Sequence, residues 1–150
     1  MMRYLLACLL LTACGGGEHV QCASADQALN AVNAARAEAR QCGGVSYAAT
    51  HPLTLSEVLT QAAERHADDL ARTGKASHIG SDGSTVSDRA RSYGRPVGEN
   101  VAVGQHDLYQ VMRELLASPG HCQNIMNPYA IQFGAACQET GTVWVQVFGV

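Results

Sequence analysis

His78, Glu99 and His121 are the residues of this chain best suited to chemistry. Two imidazoles and a carboxylate make a usual zinc set, with a fourth coordination position left for water or a ligand. The same trio could also move protons, because imidazole titrates near neutral pH. Each of the three falls at a junction between expected elements, where side chains converge on clefts. Their separation in sequence matches no compact metal motif. The plain alternative is three loop residues held by structural hydrogen bonds. His66 lies on the apolar stripe of a helix and reads as a packed core histidine with one satisfied nitrogen, not a ligand.

The stretch from Ser118 to Asn127, SPGHCQNIMN, holds one of these histidines beside a cysteine. Ser118 reads as a helix N-cap and Pro119 as the first helical residue. Asn127-Pro128 reads as the turn that ends the segment. His121 and Cys122 leave adjacent positions in different directions, so one can line a site while the other ties the segment down. With Ser118 assigned to the cap, no serine nucleophile stands out.

The N-terminus carries a different kind of signal. Arg3 precedes an apolar run from Leu5 to Leu11, which reads as a signal peptide over residues 1–13. Leu11-Thr12-Ala13-Cys14-Gly15 is similar to a bacterial lipobox. It implies cleavage before Cys14 and acylation there, a lipid tether that does not span the membrane. Residues 14–23 then form a flexible tether with three consecutive glycines, and residues 24–150 form one domain. Cys22, Cys42, Cys122 and Cys137 remain. An even number in an exported domain argues for two disulfides, and a zinc site on these four cysteines is discounted because no C-x-x-C pair exists.

The bulk composition excludes some partners. With a formal charge of −3 and 5% aromatic residues, the chain has neither the basic stripe nor the stacking platform that nucleic acids need. A monomer is expected.

The elements that must position the candidate residues follow from periodicity. Apolar residues at helical spacing predict a helix over 24–40, closed by Cys42-Gly43-Gly44. Cys22 and Cys42 would then flank it, roughly 25–30 Å apart, whereas a disulfide needs Cα atoms within about 7 Å. That leaves two pairings open. A connecting segment covers 45–54, and a second helix over 56–73 carries the stripe with His66. A loop holds His78, and a short third helix is expected over 84–93. An extended segment over 98–105 begins at Glu99, and a further helix spans 107–117. A C-terminal hairpin joins 131–138 to 142–148. Val143, Val145 and Val147 share one face of its second strand, Trp144 and Phe148 the other, so this strand should be central and covered on both sides. The class is α+β, with helices on both faces of a sheet.

The ordered set AAERHADDLA, SHIGSDGS, DRA with Tyr93-Gly94, GENVAVG, SPGHCQNIMNP, IQFGAACQE and VWVQVFG resembles the CAP superfamily (SCP domain), in its bacterial branch. The resemblance spans roughly residues 27–149. It implies a three-layer α-β-α sandwich with a small, mainly antiparallel sheet and a central cleft. By the same resemblance His78, Glu99 and His121 face that cleft, and some members bind a divalent metal there. It further implies a Cys42–Cys122 bridge, which leaves Cys22 for Cys137. One departure matters. Many animal members carry a second glutamate near the position of Ser118; Glu114 is close but out of phase and reads as a solvated face. The expectation is a cell-envelope lipoprotein whose cleft binds a small ligand, lipid or peptide, with zinc as the metal the cleft suits. The alternatives are a metal-dependent or acid–base hydrolase and a structural envelope protein.

Overall fold

The computed structural model describes residues 20–91, 93–140 and 142–150. The apolar run and Cys14 lie outside these residues. No helix among those described is long and apolar enough to cross a membrane.

Helix α1, Ala25–Arg36, starts at a reciprocal cap: Ser24 Oγ accepts from the Gln27 N–H, and the Gln27 side chain accepts from the Ser24 N–H. It stops at Arg36, short of the expected Arg40. Strands β1, Arg40–Cys42, and β2, Val45–Tyr47, follow as an antiparallel ribbon. The physical reason is that Gly43-Gly44 serves as a two-residue hairpin turn, with Gly43 at φ 63°. A glycine pair reads equally well as a helix stop. The expected connecting segment therefore contains β2, and it ends at a third strand, β3, Thr54–Leu55.

Helix α2, Glu57–Thr73, is capped by Ser56 and ends at Gly74, whose φ of 68° is the left-handed conformation a helix stop favours. Helix α3 is only Val86–Arg89, shorter than the expected span, because Asp88 is used in the Thr85 cap and Arg91 turns to φ 50°. Strand β4, Pro96–Val103, leads to α4, Leu108–Ala117, and α5, Pro119–Met126. Strands β5, Gln132–Gln138, and β6, Val143–Gly149, complete the chain.

The main sheet has the order β3-β5-β6-β4, with β3 parallel to β5 and the other pairs antiparallel. Strand β6 is interior to the sheet and buried throughout. Its two faces feed two cores. Val143, Val145 and Val147 pack with Leu59, Ala63, Ala67 and Leu70 of α2. Trp144 and Phe148 pack with Val32 of α1, Val111 and Leu115 of α4, and Ile125 of α5. Each fully buried branched side chain contributes about 1.5–3 kcal/mol. The result is a three-layer sandwich. At Gly134 the layers nearly touch: a Cβ there would lie 2.2 Å from the α2 backbone at Leu59 and Thr60.

Two disulfides cross-link the fold, one holding the N-terminal residues to β5 of this sheet and the other holding the β1–β2 ribbon to α5. Cys22 is bonded to Cys137, with Cα atoms 5.5 Å apart, and Cys42 to Cys122, at 5.4 Å. Arg36 is fully buried and donates to the carbonyls of His51, Ile125, Asn127 and Ala130. It joins the end of α1 to the end of α5, where the carbonyls of a helix terminus favour a cation.

Candidate functional site

The site is built around the outer strand of the sheet. Alternation along β4 sends Glu99 and Val101 toward α2, and Asn100 and Ala102 toward α4 and α5. A bulge between Pro96 and Gly98 sets this phase, a common device for aiming a side chain at a site.

Glu99 is the buried centre. Its Oε2 lies 2.5 Å from an Arg89 guanidinium nitrogen, and its Oε1 accepts from His78 Nδ1 at 2.9 Å. Arg89 also donates to the carbonyls of Ser84 at 2.8 Å and His78 at 3.3 Å. It thus holds both the carboxylate and the loop that carries the histidine. The Glu99 bond puts the His78 proton on Nδ1, leaving the Nε2 lone pair of the neutral ring directed elsewhere. The His78 side chain is 59% exposed, so that nitrogen can be reached.

The His78 loop is clamped to α2 from outside. Ser81 gives its N–H and hydroxyl to Asp69, at 2.7 and 2.5 Å, and Arg65 pairs with Asp82 at 2.6 Å. The Ser81 bonds hold the Asp69 carboxyl below its usual range, and the Ser84 bonds, with Arg65, do the same more strongly for Asp82. A cavity of about 610 Å³ opens between this loop and the outer side of α2; Arg65, Asp69, Arg72 and Asp82 are among its lining residues. His78 and His121 are not.

His66 is the core histidine expected from its place on α2. It is fully buried and donates from Nε2 to the Ser77 carbonyl at 2.7 Å, while Nδ1 has no partner among the described residues. It also lies 3.9 Å from Glu99 Oε1, a neighbour its helical phase alone does not reveal. Burial lowers its pKa, against the opposing pull of Glu99.

His121 stands in the first turn of α5, on the opposite face of the sheet edge from Glu99. Its ring has no hydrogen-bond partner among the described residues. Burial, and then the charge of His78, lower its pKa. A network of side-chain amides holds its backbone in place. Asn100 Nδ2 donates to the His121 carbonyl at 3.3 Å and to Gln146 Oε1 at 3.1 Å. Asn124 Nδ2 donates to the Glu99 carbonyl at 3.1 Å and to Asn100 Oδ1 at 2.9 Å. Gly98 permits this approach, since a Cβ there would lie 2.8 Å from Asn124 Oδ1. The Cys42–Cys122 bridge fixes the next residue to the β1–β2 ribbon.

Ser118 differs from its expected role. It occupies the N-cap position of α5, but its side chain makes no cap bond. It is at once the end of α4, donating its N–H to Glu114 and Leu115, and the start of α5. Glu114 turns to Gln105 and Gln110.

The structure therefore joins His78 directly to Glu99 and brings His121 within electrostatic reach of His78. Among the described residues, no three His, Cys, Asp or Glu side chains gather closely enough to hold a metal ion alone. Arg89, Asn100 and Asn124 escaped notice as site residues, although they lie inside the DRA, GEN and SPGHCQNIMNP motifs.

Residues 29–148 match the family described as "CAP: Cysteine-rich secretory protein family". YkwD of Bacillus subtilis (strain 168) is 30% identical over 100 residues, covering 65% of this chain and 39% of that protein. The fold is similar to an extracellular protein containing an SCP domain from Bacillus anthracis str. Ames, with a TM-score of 0.71 and 20% identity over 83% of this chain and 39% of that one. It is also similar to an outer surface protein from Borrelia burgdorferi, with a TM-score of 0.64 and 20% identity over 87% of this chain and 97% of that one. The chain thus spans 39% of the length of YkwD and of the Bacillus anthracis protein.

Proposed function

The chain belongs to the CAP family of cysteine-rich secretory proteins, and on that premise we propose that it is an exported binding protein whose cleft across the β4 edge captures a small ligand, lipid or peptide through His78 and His121. The observation that carries this reading is the hydrogen bond from His78 Nδ1 to Glu99, with Arg89 behind the carboxylate. A histidine whose other nitrogen donates to a carboxylate has its tautomer fixed and its free nitrogen oriented. His121 adds a second ring, whose pKa burial lowers and which has no competing hydrogen-bond partner among the described residues.

Two imidazoles are donors that a divalent metal takes, zinc being the ion their chemistry suits best. A bound zinc would supply a Lewis-acid pole to which a ligand oxygen or nitrogen could attach. Glu99 would act behind His78, since Arg89 and His78 already engage its two oxygens. Zinc titration of the protein by calorimetry tests this. Binding should disappear in His78→Ala/His121→Ala, and equal binding by that variant sinks the metal reading.

The same hydrogen bond favours a second reading, acid–base hydrolysis, in which His78 Nε2 takes a proton while Glu99 stabilises the imidazolium. Hydrolysis of a peptide and ester panel that is lost in a still-folded Glu99→Gln would select it.

Export is supported by the two disulfides, which persist in oxidising compartments. A lipid anchor at Cys14 would hold the domain at the cell envelope. Mass spectrometry of the mature N-terminus tests it, and an unacylated terminus beyond Cys14 would remove the anchor.

A further inference from the structure

We propose that the cavity between α2 and loop 80–84 binds a small, neutral, polyhydroxylated molecule such as a saccharide unit. At about 610 Å³ it falls within the range of small-molecule sites. It stands apart from the His78–His121 cleft, and the proposal does not rest on the function assigned to that cleft.

The inner wall carries the first argument. His66 and Arg89 both line the cavity, and they are 0% and 4% exposed. Each holds the loop by donating to its carbonyls, His66 to Ser77 and Arg89 to His78 and Ser84. Each also keeps one group without a hydrogen-bond partner among the described residues, Nδ1 of His66 and Nε of Arg89. Buried polar groups are nearly always paired, so two that are not, on residues lining one cavity, call for an occupant. With the His66 proton on Nε2, its Nδ1 is an acceptor, whereas Arg89 Nε–H is a donor. A carboxylate or phosphate accepts from Arg89 but has no hydrogen for His66. An ammonium group has the hydrogen but cannot accept. A hydroxyl does both.

The rim points the same way. Arg65 pairs with Asp82 and Arg72 with Asp69, while Asp68 accepts from Gln138. Arg89 is balanced by Glu99. Glu64 is the lining charge that has neither a hydrogen bond nor an ion pair among the described residues. Its carboxylate turns anions away and accepts strongly from a hydroxyl. No aromatic side chain lines the cavity, so the ligand is held by its hydroxyls and not by ring stacking. The clamps that close loop 80–84 onto α2, Ser81 to Asp69 and Asp82 to Arg65, are exposed. Exposed pairs of this kind contribute little, so the loop yields as a hydroxyl reaches the inner wall.

The test is an NMR titration of the disulfide-intact protein with glucose, galactose and N-acetylglucosamine in turn, and with inorganic phosphate and methylammonium as charged controls. At least one sugar should move the amide signals of Gly80, Ser81, Gly83 and Ser84 and saturate, with a Kd in about the millimolar range. Phosphate and methylammonium should leave them in place. Gln61 lies exposed on the rim, and Gln61→Trp, which fills the mouth, should weaken the sugar at least about tenfold. Glu64→Ala should weaken it by about threefold or more. His78→Ala/His121→Ala should bind the sugar like the parent. The proposal is overturned if no sugar moves these amides at about 100 mM, or if phosphate or methylammonium moves them instead. It is equally overturned if a folded Gln61→Trp binds the sugar like the parent, or if the double histidine variant loses the sugar, which would place it in the cleft.

Discussion

Arg89 and Glu99 form an ion pair at 2.5 Å with side chains only 1% and 4% exposed. Each charge is tolerable in the interior because the other is there, and because His78 donates to the carboxylate while the Ser84 and His78 carbonyls accept from the guanidinium. Replacing one partner strands the other. Arg89→Met should cost about 3–5 kcal/mol in urea unfolding. A double variant, Arg89→Met/Glu99→Met, should recover part of that loss, because no buried charge remains. A cost below about 1 kcal/mol for the single variant, the range of an exposed pair, would show that solvent reaches this pair.

Stability should fall as the solution is acidified from neutral. His66 and His121 both have folded-state pKa values below the ordinary 6.5. The unfolded chain then takes up protons first, so stability rises with pH wherever the two states differ. The loss begins as pH drops through 6.5 and is complete below the folded pKa values. Its slope is at most about 1.4 kcal/mol per pH unit for each imidazole. His66→Gln, whose amide N–H can still reach the Ser77 carbonyl, should flatten the profile measured by urea unfolding between pH 7 and 5. An unchanged slope would exclude His66 as a source.

Two glycines are required by close approach. Gly134→Ala would push a methyl into the α2 backbone and Gly98→Ala into Asn124. Overpacking usually costs about 1–3 kcal/mol, with more where a backbone must move. Gly134→Ala should therefore be the more damaging, because the α2 backbone is less able to yield than a side chain. Gly98→Ala should be the milder for stability but should displace Asn124 and with it His121. Thermal unfolding ranks the two, and the reverse order would contradict the packing described.

Much of this was legible from periodicity. Val143, Val145 and Val147 against Trp144 and Phe148 announced a strand covered on both sides, and the α2 stripe announced His66 in the core. Gly43-Gly44 was ambiguous, since a glycine pair ends a helix or turns a hairpin, and only the pairing of Arg40–Cys42 with Val45–Tyr47 decides. Arg36 and Arg89 were invisible for a common reason. Arginine is ordinarily a surface residue, and nothing local to α1 or α3 says that carbonyls or a carboxylate distant in sequence will converge on its guanidinium. The role of Glu99 was half legible: its motif marked it, but its engagement with Arg89 depends on how α3 packs against β4.

The two disulfides should differ in both cost and order of reduction. Cys42 and Cys122 are 1% and 0% exposed, whereas Cys22 and Cys137 are only half-buried. Thiol–disulfide exchange needs access to a sulfur, so a mild dithiol should open Cys22–Cys137 first while the fold persists. Cys42–Cys122 should yield only on unfolding. The Cys42–Cys122 bridge spans a sequence separation of 80 residues, and its removal in Cys42→Ala/Cys122→Ala should cost about 4 kcal/mol by the loop-entropy estimate. Thiol trapping with mass spectrometry gives the order, and urea unfolding gives the cost. On the proposed zinc reading, the first step should leave that binding intact, because Cys22–Cys137 holds only the N-terminal residues to β5. The second should weaken it, because Cys122 is joined through the backbone to His121. Early reduction of Cys42–Cys122 with zinc binding unchanged would mean that the Asn100 and Asn124 amides suffice to hold His121 in place.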